Sequence, residues 1–286
     1  MNFAERYGKW AVVAGASQGI GRAFSEEAAA RGINVLMIAR GQDALERSAA
    51  DIRARFGVGV RTLAADLSDP LIGEVAAAAT EDLEVGLFVY NATVAPAGRF
   101  IDVPLELQLQ SVAVNCATPV ILCNLLAPKM VLRGRGGIGI VGSNGGTQGS
   151  VNFGTYGAGK AFGWILAETL WAELGDAGVH VSHIFVGPTS SPNYDAFKAT
   201  LDPVLCGRPE SNDPLDRARA RLMDPSTPQE VAAALYDQLG SGPVCYSRPE
   251  DAWISRASLD LPRAEAVNVW RALQETSTVR PERQAR

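Results

Sequence analysis

Seven short apolar runs recur along the chain, at Trp10–Ala14, Ile33–Ala39, Val58–Ala64, Leu87–Tyr90, Ile138–Val141, Val179–Val186 and Pro243–Tyr246, and between them lie stretches long enough for helices. Runs this short and this apolar read as strands buried on both faces, and helix-length connections make their neighbours parallel. Right-handed crossovers then place helices over both sides of one sheet. The expected architecture is an α/β fold built on a doubly wound, seven-stranded parallel sheet. Ile20–Ala30, Asp43–Arg55, Leu71–Thr80, Leu105–Arg133 and Tyr156–Leu174 supply helices, and Pro119 and Pro128 predict that the fourth bends or divides.

Between residues 190 and 228 the rhythm breaks, with prolines at 192, 203, 209, 214, 225 and 228. A connection this long inside a compact sheet predicts a folded-over lid. Thr227 is placed to cap a further helix opened by Pro228. With no internal repeat, residues 1–275 read as a single domain, and the polar tail 276–286 is expected to fray.

Composition narrows the partners. The 286 residues carry 26 basic and 31 acidic side chains, a net charge of -5, which gives no general attraction to nucleic acid or an anionic membrane. The opening MNFAERYGKW has no apolar export core, and the later apolar runs read as interrupted before membrane-spanning length. A cytoplasmic protein is expected. Cys116, Cys123, Cys206 and Cys245 form no CxxC pair and read as reduced thiols. His180 and His183 lie in GVHVSHIFV as strand residues of mixed burial, and no metal site is expected.

The segment AGASQGIG sets Gly15, Gly19 and Gly21 between a strand and a helix. Glycines there permit a sharp turn and close backbone approach, and the helix start offers free N–H groups to a diphosphate. Ser17, Gln18 and Ile20 belong to the same expected dinucleotide cradle; the alternative is a glycine-rich structural turn. The sheet is then Rossmann-like. At the end of the second strand, MIARG carries Arg40 and lacks the acid that would bind the two adenosine-ribose hydroxyls of NAD. A guanidinium there pairs with the extra phosphate of NADP, unless Arg40 is merely a solvated loop charge. Asp66, in ADLSDP, either caps a helix or lies near adenine with Leu67 forming part of the ring pocket.

Tyr156 and Lys160, four residues apart in YGAGK, share one helix face. A phenol has an ordinary pKa near 10 and is a poor base at neutrality; an adjacent ammonium favours its phenolate and makes it usable for proton transfer. Ser143 ends the strand GIVGS and can meet a substrate oxygen there, or serve only as a turn residue among Gly142, Asn144, Gly145 and Gly146.

Together these residues resemble the short-chain dehydrogenase/reductase family, whose glycine-rich loop, serine, tyrosine and lysine look like Gly15/Gly19/Gly21, Ser143, Tyr156 and Lys160. The resemblance runs from Trp10 to about Tyr246. It implies the strand order 3-2-1-4-5-6-7, a nicotinamide cofactor, which Arg40 makes NADP(H), hydride exchange between nicotinamide and a carbonyl carbon, and homodimers or homotetramers. It also implies that Asn115, in VAVNC, joins a water-linked proton relay through Lys160, and that Asn91, in YNAT, steadies the turn beside the central strand. On its residues alone Asn115 reads as a packed polar side chain. Two departures stand out: the usual NNAG is YNAT here, and the usual proline-glycine after the sixth strand is Gly187-Pro188-Thr189. Thr189 or Ser191 then reads as a carboxamide contact or as structural.

A closer resemblance, carried by MNFAERYGKW, AGASQGIGRAF, ATEDLEVGLFVY and YGAGKAF, is to hydroxysteroid dehydrogenases within that family. It implies a bulky, mostly apolar alcohol or ketone as substrate. Tyr194, Phe197, Trp253 and Trp270 are candidates for the pocket wall or for plain packing. The alternatives are a broad carbonyl or 3-oxoacyl thioester reductase, and a non-catalytic NADP-binding regulatory protein.

Overall fold

The computed structural model describes residues 2–191, 194–195, 198–199 and 207–275. Phe197, Cys206 and the tail 276–286 lie outside the described residues. After a short helix α1 (Phe3–Tyr7), strands and helices alternate: β1 (Trp10–Ala14), α2 (Gly19–Ala30), β2 (Asn34–Ala39), α3 (Gln42–Phe56), β3 (Val60–Ala64), α4 (Ile72–Ala79) and β4 (Val85–Tyr90). The second half runs α5 (Leu105–Val112), α6 (Thr118–Arg133), β5 (Gly136–Val141), α7 (Gly154–Leu174), β6 (Val179–Phe185), α8 (Pro214–Met223), α9 (Pro228–Gln238), β7 (Val244–Tyr246), α10 (Pro249–Asp260) and α11 (Arg263–Glu275).

The seven strands form one sheet in the order β3-β2-β1-β4-β5-β6-β7, every pair parallel. Alternation along each strand divides the core between two faces. Val13, Val35 and Met37 pack against Phe24 of α2, Leu45 and Ile52 of α3, and Val231 and Leu235 of α9. On the other side Val12, Leu36, Ile38 and Phe88 meet Ile72 of α4, Leu122, Leu126 and Met130 of α6, and Ala167 of α7. Each large side chain so removed from water contributes about 2 kcal/mol, which is why the apolar runs take the sheet's interior.

One expectation is met in detail and another changes. Leu105–Arg133 divides through a π-turn at Ala113–Ala117, for which Pro119 gives a reason: it has no N–H for the carbonyl of Asn115 four residues earlier, so the regular ladder cannot close there. The run is also 29 residues of continuous helical backbone containing an 18-residue window with a mean hydropathy of 1.5, long and apolar enough by those measures to cross a bilayer, contrary to the reading that every apolar run is interrupted too soon. In the fold, Leu122, Leu126 and Met130 cover the sheet, which accounts for the apolarity. The Thr227 cap forms as the sequence predicts, with the Thr227 hydroxyl accepting from Glu230 N at 3.1 Å and Glu230 accepting from Thr227 N at 2.7 Å.

Candidate active site

The glycine-rich turn, Arg40, Asp66, Asn91, Ser143 and Thr189 fall at or near the carboxyl edge of the sheet, because the loops that follow β1, β2, β3, β4, β5 and β6 open there. On either side of β1 the chain crosses over in opposite directions, and such a switch point leaves a crevice between the loops. A cleft of about 540 Å³ occupies it, lined by Gly15, Ser17, Gln18, Gly19 and Ile20 from the first loop, and by Arg40, Asp66, Leu67, Asn91 and Thr189 from the others.

The three glycines do different work. Gly15 has φ +82°, and a Cβ there would stand 2.8 Å from the backbone of Ala92. Gly21 lets the helix sit on the turn, since a Cβ would fall 1.9 Å from Gly15 O. Gly19, at φ +55°, would meet nothing within 4 Å and leaves the mouth of α2 open. Gln18 makes no side-chain cap on α2 and no acid stands in its first turn, so its N–H groups face the cleft ready for an anion. Asn91 donates to Gly15 O at 3.1 Å and ties the β4 loop to this turn.

Arg40 is exposed on the cleft rim. Asp66 lines the cleft, but the helix-cap reading gives way: it accepts from Ser68 N at 2.9 Å and Ser68 Oγ at 2.7 Å, and α4 starts only at Ile72. These bonds hold its carboxyl below the usual range, helped by Arg40. Leu67 is buried, its carbonyl accepting from Thr118 Oγ1 at 2.5 Å.

Ser143 leaves β5 in extended backbone, and its Oγ accepts from Gly145 N at 3.1 Å. Gly145 stands between the serine and the tyrosine: a Cβ there would lie 3.5 Å from Ser143 Oγ and 3.8 Å from Tyr156 Cε1. Burial raises the Tyr156 phenol above its ordinary pKa, and a hydrogen bond with Ser143 draws it partly back. The glycines of YGAGK bring α7 close on two sides, since a Cβ on Gly157 would stand 3.0 Å from Gly145 O and one on Gly159 only 2.7 Å from Asn115 Cβ. Lys160 is buried, donates to Val141 O at 2.8 Å and lies 5.7 Å from the centre of the Tyr156 ring. Desolvation pushes its ammonium down to about 8.

Asn115 sits in the π-turn with its amide fully used. Its Oδ1 accepts from Val94 N and Thr93 Oγ1, both at 3.1 Å, and its Nδ2 donates to Val94 O at 2.7 Å and Ser111 Oγ at 2.9 Å. Both departures from NNAG serve this turn: Thr93 holds Asn115 directly, and the Tyr90 hydroxyl donates to Val114 O. A void of about 10 Å³ lies between Asn115, Lys160 and Gly159.

A second cavity of about 270 Å³ begins at Ser143 and shares Thr189 with the cleft. Its walls are mainly apolar, from Val186, Leu222, Ile254, Trp270 and Leu273, with Tyr194 and Arg221 also on it. Of the aromatic candidates Tyr194 and Trp270 reach this cavity, whereas Trp253 packs under Arg217, whose guanidinium lies 4.1 Å from the ring centre. Arg221, Ile254 and Leu273 were not foreseen, because nothing in their local sequence distinguishes them from ordinary helix residues. Among the described residues no group of three or more His, Cys, Asp or Glu could hold a metal ion.

The pattern of the short chain dehydrogenase family matches residues 9–202. This chain belongs to that family. It is 36% identical to 7beta-hydroxysteroid dehydrogenase of Collinsella aerofaciens over 240 residues, which span 84% of this chain and 86% of the relative. It is 33% identical to very-long-chain 3-oxoacyl-CoA reductase of Laccaria bicolor over 64% of this chain and 55% of the relative. Among solved structures, one described for 7beta-hydroxysteroid dehydrogenase stereoselectivity superposes with a TM-score of 0.82 at 29% identity, covering 94% of this chain and 99% of the other. A short-chain dehydrogenase from Sphingobium yanoikuyae in complex with NADPH superposes with a TM-score of 0.70 at 25% identity, over 90% and 97% of the two chains. The chain is therefore an oxidoreductase of the short-chain dehydrogenase family, built for a nicotinamide cofactor and a small-molecule substrate.

Proposed function

We propose that this enzyme interconverts a secondary alcohol and a ketone on a hydroxysteroid-like or other bulky apolar substrate with NADP(H), and that Tyr156 exchanges the proton. The observation that carries the reading is that a polar cleft and a mainly apolar cavity share Thr189, and that Ser143, which lines the second of them, stands across Gly145 from Tyr156.

The open glycine turn and uncapped α2 fit the diphosphate of a dinucleotide, Asp66 and Leu67 the adenine end, and Arg40 a 2′-phosphate. Thr189 fits the nicotinamide end, where the two cavities join. Bound there, NADP(H) supplies or accepts the hydride. In reduction Ser143 donates to the carbonyl oxygen and orients it, while Tyr156 delivers its proton to the same atom. Lys160 binds ribose and, as an ammonium, makes the phenol easier to ionise. The void beside Asn115 and Lys160 is at the lower limit of room for one water, which suits a relay that returns a proton to Tyr156.

The hydroxysteroid reading is supported by a relative of that name matched over 86% of its length, against 55% for the 3-oxoacyl-CoA reductase, which stands for the second reading. In this account residues 190–228 act as a lid on a single catalytic domain of residues 1–275. Exposed Leu105 and Leu109 on α5, with Phe162 and Ile165 on α7, support a homodimer or homotetramer, and the free Cys116, Cys123 and Cys245 suit a reducing cytoplasm. The reading is tested with Tyr156→Phe: ketone reduction falls by about 10³-fold while NADPH binds as in wild type, and retained turnover would defeat it.

A further inference from the structure

The cavity that meets Ser143 is closed by helices α8, α10 and α11, all beyond the residues 9–202 that the family pattern covers. Something must fasten this added wall to the catalytic turn. Behind the cavity lies a fully buried polar cluster centred on Asp251 of α10. Arg221 of α8 donates to Asp251 through Nε to Oδ1 at 3.1 Å and through Nη2 to Oδ2 at 3.2 Å. Asn144, the neighbour of Ser143, donates to Oδ1 at 3.2 Å, and Ser247 donates to Oδ2 at 2.5 Å. Arg221 Nη2 also reaches Ser226 Oγ at 2.5 Å, and Ser255 Oγ donates to Asn144 Oδ1 at 3.2 Å.

We propose that Asp251 is a positioning residue for the reaction: through Asn144 and Arg221 one buried carboxylate locks the Ser143 turn and the α8 wall of the substrate cavity into a single unit. The proposal rests on the ketone-reductase reading and deepens it by naming what sets substrate orientation.

A buried ion pair is by itself a poor source of stability, since desolvation offsets most of its attraction. One observation favours positioning over incidental packing: the family's usual proline-glycine after the sixth strand cannot stand here. A Cβ on Gly187 would fall 2.0 Å from Asp251 Oδ1, so a proline at 187 would collide with the carboxylate. Gly187 does not have a left-handed backbone, so space and not conformation requires the glycine. The exchanged order Gly187-Pro188 and the carboxylate of Asp251 therefore fit as one feature. Arg221 lines the cavity with its charge matched by Asp251, so among the described lining residues an incoming substrate meets no unmatched cation.

The test uses Asp251→Asn and the double variant Arg221→Met/Asp251→Leu, in which no lone charge is left buried. NADPH titration counts folded sites, and kcat, KM and the diastereomer ratio of the product alcohol are read per site with a 7-oxo steroid. The proposal expects NADPH affinity as in wild type, kcat per site lower by about 10²-fold and a visibly poorer diastereomer ratio in both variants. A double variant whose sites keep the wild-type kcat, KM and product ratio overturns it, as does a loss confined to the number of folded sites. A wild type that binds NADPH and reduces no ketone sinks the reading of the function itself, and this proposal with it.

Discussion

Lys160 Nζ donates to the carbonyl of Val141 at 2.8 Å, which pins the middle of α7 to the end of β5 two residues before Ser143. The serine and the tyrosine are therefore held by the same strand-to-helix contact. Burial at this contact brings the Lys160 ammonium down to about 8, so near neutrality it is charged yet little shielded by water. Lys160→Met removes that charge, and the phenolate of Tyr156 then forms less readily. In alcohol oxidation the rising limb of the pH–rate profile is expected to move up by about one unit or more, with kcat lower throughout. An unmoved limb would show that Lys160 does not tune the phenol.

Arg40 stands on the cleft rim, close enough to help lower the Asp66 carboxyl. Arg40→Ala is expected to weaken NADPH by roughly 30-fold, about 2 kcal/mol for a lost charged hydrogen bond, and to leave NADH affinity nearly unchanged. Isothermal titration with both cofactors checks this, and equal losses would count against phosphate recognition.

His183 is fully buried on β6, and neither ring nitrogen has a hydrogen-bond partner. Burial, reinforced by Lys160, holds its pKa down to about 3, against an ordinary 6.5. Between those values the unfolded chain binds the proton and the folded one does not, so stability is full above the upper value and drains as pH falls. The loss is up to about 1.4 kcal/mol for each pH unit. His183→Leu removes both the unpaired nitrogens and this slope. Urea unfolding is expected to show a gain of about 1 kcal/mol at neutral pH and a flatter acid limb. A variant as acid-sensitive as wild type would contradict it.

Trp270 reaches the substrate cavity from α11, its indole N–H directed to Ser258 Oγ at 3.4 Å. Trp270→Ala opens that wall. For a bulky steroid ketone, kcat/KM should fall by about 2 kcal/mol of lost apolar contact, while a small ketone that never touches the indole is affected little. Equal effects on both ketones would return Trp270 to a packing role.

Most of the seven strands could be read from the sequence because a doubly covered sheet demands continuous apolar runs, and the edge strand β3, with Arg61 and Thr62, because it keeps the same spacing between helices. Tyr156 and Lys160 were equally visible, since helix periodicity alone sets them on one face. Other features depend on contacts between distant segments. Asp66 sits in a plausible capping sequence, but the helix begins six residues later. The division of Leu105–Arg133 falls at the π-turn just before Pro119, whereas Pro128 stays inside α6. Arg221 and Asp251, thirty residues apart, carry no periodic or motif signal that could pair them before α8 and α10 were seen to meet.

The most direct test of the account follows NADPH absorbance with purified enzyme against a stereodefined panel of hydroxysteroids and steroid ketones, simple bulky ketones and a 3-oxoacyl thioester. The account predicts NADPH consumption with a steroid ketone, yielding one alcohol diastereomer, and much slower turnover of the thioester. Tight NADPH binding with no turnover of any ketone would contradict it, and activity confined to the thioester would remove the bulky apolar substrate from the account.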